Sequence, residues 1–333
     1  MKHTPEVLPL VSDIPPWLDK DYDSLKGLRS DKQLPHALLL AGSPGIGKHR
    51  LALSLANAIL CTENGTACGK CHSCKLWAAG NHPDFWHLKP EEGKQVISID
   101  QVRSLLEFAY KTPQIATMKI IVVWPADLMN RNAANALLEC LGEPPASTQC
   151  GLSSANPGRV PATIRSRCQV VRISEPVKEQ AQRWLQNEIN DEALAAQYLQ
   201  VSNGQPLVAL ENGALLLDMH QTIAAAMESA AQGSAGIVQL TKPLLSYDLK
   251  PSLDVYLRLV SAIVAKLLGV NRSEGRHAVW FSAIDPAWNA SRLLEHAQFV
   301  QNILKKLHAG SHLNDQLALE DLFLRLALCT QQD

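Results

Sequence analysis

This chain of 333 residues lacks three features that would each point to a particular class of protein. Its formal net charge is -1, so no overall positive charge draws it to nucleic acid, and such contacts would need a local patch or helix N-termini. No apolar run reaches the roughly 18 residues of a membrane span, and residues 1–20 lack a signal-peptide pattern. With 46% hydrophobic and 19% charged residues, the sequence predicts a cytoplasmic globular protein of two or three domains.

Disulfides are not expected in a reducing compartment, although the chain has eight cysteines. Four of them fall within fourteen residues, at Cys61, Cys68, Cys71 and Cys74, with Gly65 and Gly69 expected to supply turns. Four thiolates predict a closed, structural Zn²⁺ site, since a catalytic zinc keeps one position open. Unrelated reduced thiols and a redox pair remain the alternatives. The other four are expected to be packed thiols: Cys140, Cys150, Cys168 and Cys329.

A phosphate-binding loop is indicated near residue 45. The apolar run at 37–41 predicts a strand, a glycine-rich turn follows it, and an apolar-periodic segment at 51–60 predicts a helix. The spacing Gly42-x4-Gly47-Lys48 is that of a P-loop, and its candidate phosphate-binding residues are Gly42, Gly45, Gly47 and Lys48. The next residue is His49, where a Ser or Thr hydroxyl would bind Mg²⁺. Imidazole is a poor ligand for that cation.

The second acidic motif of a P-loop ATPase is also missing. The β-branched run from Lys119 to Trp124 predicts a strand buried on both faces of a parallel sheet. Such a strand ends in an Asp for Mg²⁺ and a Glu for the attacking water, but this chain has Trp124 and Pro125. Asp127 lies beyond the strand, where a surface turn or an N-cap is expected. Together with His49, these residues predict that ATP is not hydrolysed, and the sequence leaves open whether any nucleotide binds.

Strand and helix patterns alternate up to about Arg172, which predicts a doubly wound α/β domain. Within it, Asp100 is expected to be the N-cap of a helix that carries Val102 and Leu105. After Pro176 the patterns are helical, with a break at Asn203-Gly204. We therefore expect boundaries near residues 172 and 217.

Several short motifs make a family resemblance specific. They are His36-Ala37-Leu38-Leu39, the four cysteines, His82-Pro83-Asp84, Asn135-Ala136-Leu137-Leu138 with Glu143-Pro144-Pro145, and Ser166-Arg167-Cys168. On these residues the chain resembles the clamp-loader branch of the AAA+ ATPases. The resemblance covers residues 1 to about 215 through motifs and the helical last third in pattern only. It implies an AAA+ α/β P-loop domain at 1–172 with the zinc module at 61–74, a helical lid at 173–217 and an all-α collar at 218–333.

The resemblance also implies a function. The chain would be the non-hydrolysing stator of a ring with three motor subunits of the gamma/tau type and the delta subunit, which loads the sliding clamp onto primed DNA. It would not be an enzyme alone, but part of a complex with DNA-directed DNA polymerase activity. Arg167 would be an arginine finger for ATP held by a neighbour, and a surface or salt-bridged arginine is the alternative. Near Leu207 the family's sensing arginine is absent.

Two other functions remain possible from the residues alone. One is an active ATPase motor subunit, which would turn over ATP as an isolated chain. The other is a zinc-ribbon module that binds nucleic acid, attached to an inactive P-loop domain. Residues 61–80 disfavour the second, because they offer only Lys70 and Lys75 as basic groups and Trp77 as a stacking aromatic.

Overall fold

A computed structural model of the chain describes residues 14–30, 33–63, 66–145, 147–269, 288–308, 311 and 313–330. These residues form two compact units, Met1–Trp184 and Leu185–Asp333. Among the described residues, no helix is both long enough and apolar enough to cross a membrane.

The first unit is built on a parallel sheet, as the sequence predicts. Its strands are β1 (Ala37–Ala41), β2 (Phe85–Leu88), β3 (Lys119–Val123), β4 (Thr148–Ser154) and β5 (Gln169–Arg172). Their order is β2-β3-β4-β1-β5, and every neighbouring pair is parallel. In register, Ala41 pairs with both Ser154 and Arg172, so the strands end along one edge. The loops that follow β1, β3 and β4 therefore meet there, where open α/β sheets bind their ligands.

Seven α-helices accompany the sheet in the described part of this region, and the last of them extends beyond the first unit. They are α1 (Asp19–Ser30), α2 (Lys48–Leu60), α3 (His72–Ala78), α4 (Ile99–Ala109), α5 (Arg131–Gly142), α6 (Ala162–Arg165) and α7 (Lys178–Ile189). The predicted end of α5 is confirmed, since Glu143 follows it directly and Pro144 cannot continue a helix.

The sheet separates two apolar cores. Leu39, Ile121 and Val123 lie in the core that contains the buried side chains of α4 and α5. Leu38 and Ile120, whose side chains alternate with these along β1 and β3, lie in the core that contains α2. All five residues of each of these two strands are buried, which explains the uninterrupted apolar runs in the sequence.

The second unit is helical. Its helices are α8 (Glu192–Val201), α9 (Pro206–Gln232), α10 (Ile237–Thr241), α11 (Leu249–Leu267), α12 (Ala290–His308) and α13 (Asp315–Ala327). One apolar core joins most of them and contains Met227, Leu259, Val300 and Phe323. Helix α9 is continuous from residue 206 to 232, so it passes through the expected boundary near 217 without a break. The division into lid and collar stays a prediction.

One expected helix cap is wrong. Helix α4 is capped by Ser98, whose hydroxyl accepts the backbone N–H of Gln101, while the Gln101 side chain accepts the backbone N–H of Ser98. This reciprocal pair is a capping box, which satisfies two N–H groups at once. Asp100 instead lies in the first turn, where its charge favours the positive end of the helix dipole.

Candidate nucleotide pocket and metal centre

The P-loop has its expected backbone between β1 and α2. Gly45 and Gly47 have φ of 66° and 97°, a conformation that favours glycine. At Gly42 a Cβ would lie 2.6 Å from the carbonyl oxygen of Ile173, so the close approach of these two segments needs a residue without a side chain. The predicted strand, loop and helix are therefore present in that order.

Lys48, the basic residue of the loop, is turned inward. Its side chain is 6% exposed, and its Nζ donates to the backbone carbonyl of Ser43 at 2.6 Å. Burial lowers the pKa of Lys48 to about 8, although the nearby charge of Asp127 acts to raise it. The hydroxyl of Ser43 donates to the Glu175 carboxylate at 2.5 Å, which places a negative charge beside the loop.

The low pKa of Lys48 predicts a pH-dependent stability. Between about pH 8 and its ordinary pKa of 10.5, the unfolded chain holds a proton that the folded chain has lost, so stability rises with pH. Relative to Lys48→Met, we expect the wild-type free energy of unfolding to increase by on the order of 1 kcal/mol per pH unit across that range. Urea denaturation of both proteins from pH 7 to 10 measures this. Parallel pH profiles would contradict it.

Two positions whose side chains would bind Mg²⁺ in a P-loop ATPase carry stacked rings instead. The imidazole of His49 is stacked on the indole of Trp124, with 4.2 Å between centroids and 9° between planes. Its Nε2 lies 3.0 Å from Nε2 of His87, so one of these two rings donates a hydrogen bond to the other. Trp124 follows β3 directly, at the expected end of the strand. The structure thus brings His49 and Trp124 together and adds His87, which sequence reasoning missed.

Asp127 lies in a single 3-10 turn (Ala126–Leu128), so the turn expected there is present. Its Oδ1 accepts the Ser154 hydroxyl at 2.6 Å and the backbone N–H of Ala155 at 3.3 Å. The carboxylate therefore joins the loop after β3 to the end of β4, a contact that the sequence did not indicate. Pro125, which occupies the place of the water-orienting Glu, has no side-chain group that accepts a proton.

The four clustered cysteines converge. Sγ atoms of Cys61, Cys68, Cys71 and Cys74 all lie within 4.8 Å of one another. A tetrahedron with Zn–S bonds of 2.3 Å has S–S edges of about 3.8 Å, and the Cys68 and Cys74 sulfurs are 3.9 Å apart. The set can therefore hold a metal ion of tetrahedral, thiolate-favouring type. Gly69 has φ of 70° and supplies the expected turn, whereas Gly65 lies outside the described residues.

Backbone groups favour ionised thiols in this cluster. The N–H of Cys71 donates to Sγ of Cys68, and the N–H of Cys74 donates to Sγ of Cys71, both at 3.4 Å. Although burial opposes it, hydrogen bonding from the Cys74 backbone and from Thr62 lowers the pKa of Cys71 to about 6. Burial raises the pKa of Cys74. A metal ion would bind the four sulfurs as thiolates and would offset the repulsion between them.

The module is anchored to the rest of the first unit through Ser73. The Ser73 hydroxyl donates to the carbonyl of Leu60 at 2.6 Å, at the end of α2. It also contacts Nε2 of His82 at 2.8 Å, while Nδ1 of that ring accepts the Asp84 backbone N–H. Trp77, one turn after Cys74 in α3, is 0% exposed. It cannot stack on a base, so the nucleic-acid-binding alternative loses its aromatic residue.

Arg167 is exposed, just after α6. Its Nη1 donates to the carbonyl of Thr163 at 3.1 Å, and its Nε would lie 3.4 Å from a Cβ placed on Gly142. The side chain therefore rests on the end of α5 with its guanidinium open to solvent. Arg165, two residues earlier, is half-buried and donates to the carbonyl of Pro157 instead.

With this geometry in place, comparison with known proteins is informative. Residues 18–176 match the family described as DNA polymerase III, delta subunit. The chain is 41% identical over 203 residues to DNA polymerase III subunit delta' of Pseudomonas aeruginosa, which covers 60% of this chain and 61% of that protein. It is similar to delta-prime subunits. The corresponding Escherichia coli protein is 38% identical over 200 residues, 59% of each chain. The match thus spans about three fifths of the length of these relatives.

A solved structure has the same fold. It is a DNA polymerase III gamma subunit-related protein from Thermotoga maritima, with a TM-score of 0.55, 16% identity, and coverage of 92% of this chain and 99% of that one. At this identity the likeness concerns the fold alone. The predicted α/β domain, a parallel sheet flanked by helices, is confirmed, and so is the helical C-terminal region.

Proposed function

We propose that this chain is the delta-prime subunit of a bacterial DNA polymerase III clamp loader. In that role it assembles with motor subunits of the gamma/tau type and with the delta subunit, and the complex loads the sliding clamp onto primed DNA. The similarity of residues 18–176 to the family and of about 60% of the chain to delta-prime relatives supports the proposal. The collar would be residues 218–333, from the second half of α9 onward.

The chain itself would be a stator that does not hydrolyse ATP. The observation that carries this proposal is the stack of His49 on Trp124, with 4.2 Å between ring centroids. Two rings stand where Mg²⁺ and its ligands belong, and His49 Nε2 is already in contact with His87. Phosphoryl transfer depends on a cation and on a group that orients water, and neither Trp124 nor Pro125 supplies one. The carboxylate of Glu175 beside Ser43 adds negative charge that opposes a phosphate.

Arg167 would act on a neighbouring subunit. Its guanidinium is exposed at the end of α6 and is held by a single hydrogen bond to Thr163. A planar, permanently charged fork in that position suits the oxygens of a γ-phosphate held by the adjacent motor subunit. The four cysteines would hold a structural Zn²⁺, because the donor set and the sulfur separations suit that ion.

The stator role predicts that the purified chain has no Mg²⁺-dependent ATP turnover. Phosphate release by the isolated chain should equal that of Lys48→Ala, since the loop lysine has no reaction to assist. Lys48→Ala is the matched control, because it removes the lysine of the P-loop and leaves contaminating ATPases unchanged. A wild-type rate that needs Mg²⁺ and disappears in Lys48→Ala would contradict the proposal and favour the motor-subunit alternative.

A further inference from the structure

Five rings form a continuous path from the four-cysteine module to the P-loop. Trp77 in α3 contacts Phe85, with 4.6 Å between centroids. The ring centroid of Phe85 is 6.3 Å from that of His87, and the centroid of His87 is 4.8 Å from that of His49. The last step, from His49 to Trp124, is 4.2 Å. All four separations are at or near the range in which ring pairs attract one another.

The path uses one face of the sheet. Phe85 and His87 are two residues apart on β2, so their side chains lie on the same face, which is the face that α2 and α3 cover. Trp86, between them, lies on the other face and contacts Phe108 at 5.3 Å. The alternation of side chains along β2 therefore places Phe85 and His87 in the path and leaves Trp86 out of it.

Two rings of the path, His49 and Trp77, lie on helices that reach the cysteines. Helix α2 carries His49 in its first turn and ends at Leu60, with Cys61 as its C-cap. Helix α3 has Cys71 as its N-cap, contains Cys74, and places Trp77 one turn further along. A metal ion bound to the four sulfurs would join the end of α2 to the start of α3. The metal, α2, the rings and α3 would then be joined in a closed loop of contacts.

We propose that the metal of the four-cysteine module positions the rings at the P-loop. By fixing α3 against the end of α2, it holds Trp77 on Phe85, and so holds His87 where it contacts His49. His49 in turn stays parallel to Trp124. This inference rests on the proposed non-hydrolysing role. It gives the four-cysteine module a part in that role, because the metal keeps the rings of His49 and Trp124 in place at the P-loop. The thiolates act only through the geometry of the two helices.

Nuclear magnetic resonance of the full chain, with carbon-13 in the histidine rings, tests the inference without nucleotide or activity. The indole of Trp124 should shift the His49 ring protons upfield, because the two rings are stacked. His49→Asn and Trp124→Phe identify that signal. We expect the zinc-loaded chain to show the upfield shift, and removal of zinc by a chelator to abolish most of it. An unchanged His49 signal, in protein shown by elemental analysis to have lost its metal, would overturn the inference.

A matched pair of variants breaks the path while the metal stays bound. Phe85→Leu removes one ring of the path at nearly constant volume, and Trp86→Leu removes its neighbour on the opposite face. We expect the zinc-loaded Phe85→Leu chain to lose the His49 shift and Trp86→Leu to keep it. Should the metal-free chain unfold by circular dichroism, this pair still tests whether the path of rings holds His49 on Trp124. Retention of the shift in Phe85→Leu, or its loss in both variants, would overturn the proposal.

Failure of this inference can be told apart from failure of the proposed function. ATP turnover by the isolated chain tests the stator role and involves no histidine signal. A chain that hydrolysed ATP would refute that role whatever the His49 signal showed. A His49 signal that did not depend on the metal, in a chain without ATP turnover, would refute only the proposal that the metal positions the rings.

Discussion

Arg167→Ala in a reconstituted clamp loader should abolish most ATP turnover at the site that faces this subunit. An arginine finger contributes about 10³ to 10⁵ in kcat at its own site, so the loss there is expected to be about a thousandfold or more. The substitution should leave the other ATP sites of such a ring unchanged, so we expect total ATPase to fall by a smaller factor. Single-turnover kinetics with clamp and primed DNA, read together with the clamp-loading rate, measure both effects.

The chain offers a close control for this experiment. Arg165 lies in the same short helix α6 but directs its guanidinium to the carbonyl of Pro157, so Arg165→Ala should leave turnover near the wild-type rate. Arg167→Lys keeps the charge and loses the planar fork, and we expect it to restore little activity. Since Arg167 is exposed and makes one hydrogen bond to Thr163, its removal should cost less than about 1 kcal/mol of stability. Unchanged turnover in a complex that contains Arg167→Ala would refute the finger role.

The sequence predicted the fold well where local chemistry determines it. The β-branched residues of β3 are buried on both faces, and the glycines of the P-loop have the positive φ that its turn needs. The predicted N-cap of α4, Asp100, is wrong because that prediction does not take the neighbouring residues into account. The pattern Ser98-x-x-Gln101 was visible in the sequence and is the signature of a capping box.

The pocket could be predicted only in part from the sequence. The absence of magnesium ligands at His49 and Trp124 could be predicted, since each departs from a motif at a known spacing. What replaces them could not, because the stack joins residues from α2, β2 and the end of β3, which are distant in the chain. The same holds for Asp127 and Ser154, whose hydrogen bond joins two loops. Only the alternation along β2 hinted that His87 shares a face with Phe85.

Replacing Cys71 and Cys74 together by serine should release the metal and loosen α3. Serine hydroxyls are poor zinc ligands, so elemental analysis should fall from one zinc per chain to none. Structural zinc contributes about 10 kcal/mol in zinc-finger peptides, and even a third of that would speed hydrogen exchange of the α3 amides by about 250-fold. The remaining anchor, Ser73 bonded to Leu60 and His82, should keep the rest of the first unit folded.

The same measurements distinguish the double variant from a control variant and the metal site from its two alternatives. Cys329→Ser removes a buried thiol in the second unit whose Sγ donates to the carbonyl of Arg325, a bond that serine can also make, and it should keep both the zinc and the exchange rates. A redox pair among Cys61, Cys68, Cys71 and Cys74 would instead leave two thiols fewer on titration in denaturant and would bind no metal. Unrelated reduced thiols would give eight titratable sulfurs and no zinc in protein purified without chelator. Either result would refute the metal site, because a tetrahedral zinc centre uses all four thiolates and leaves one zinc per chain in protein purified without chelator.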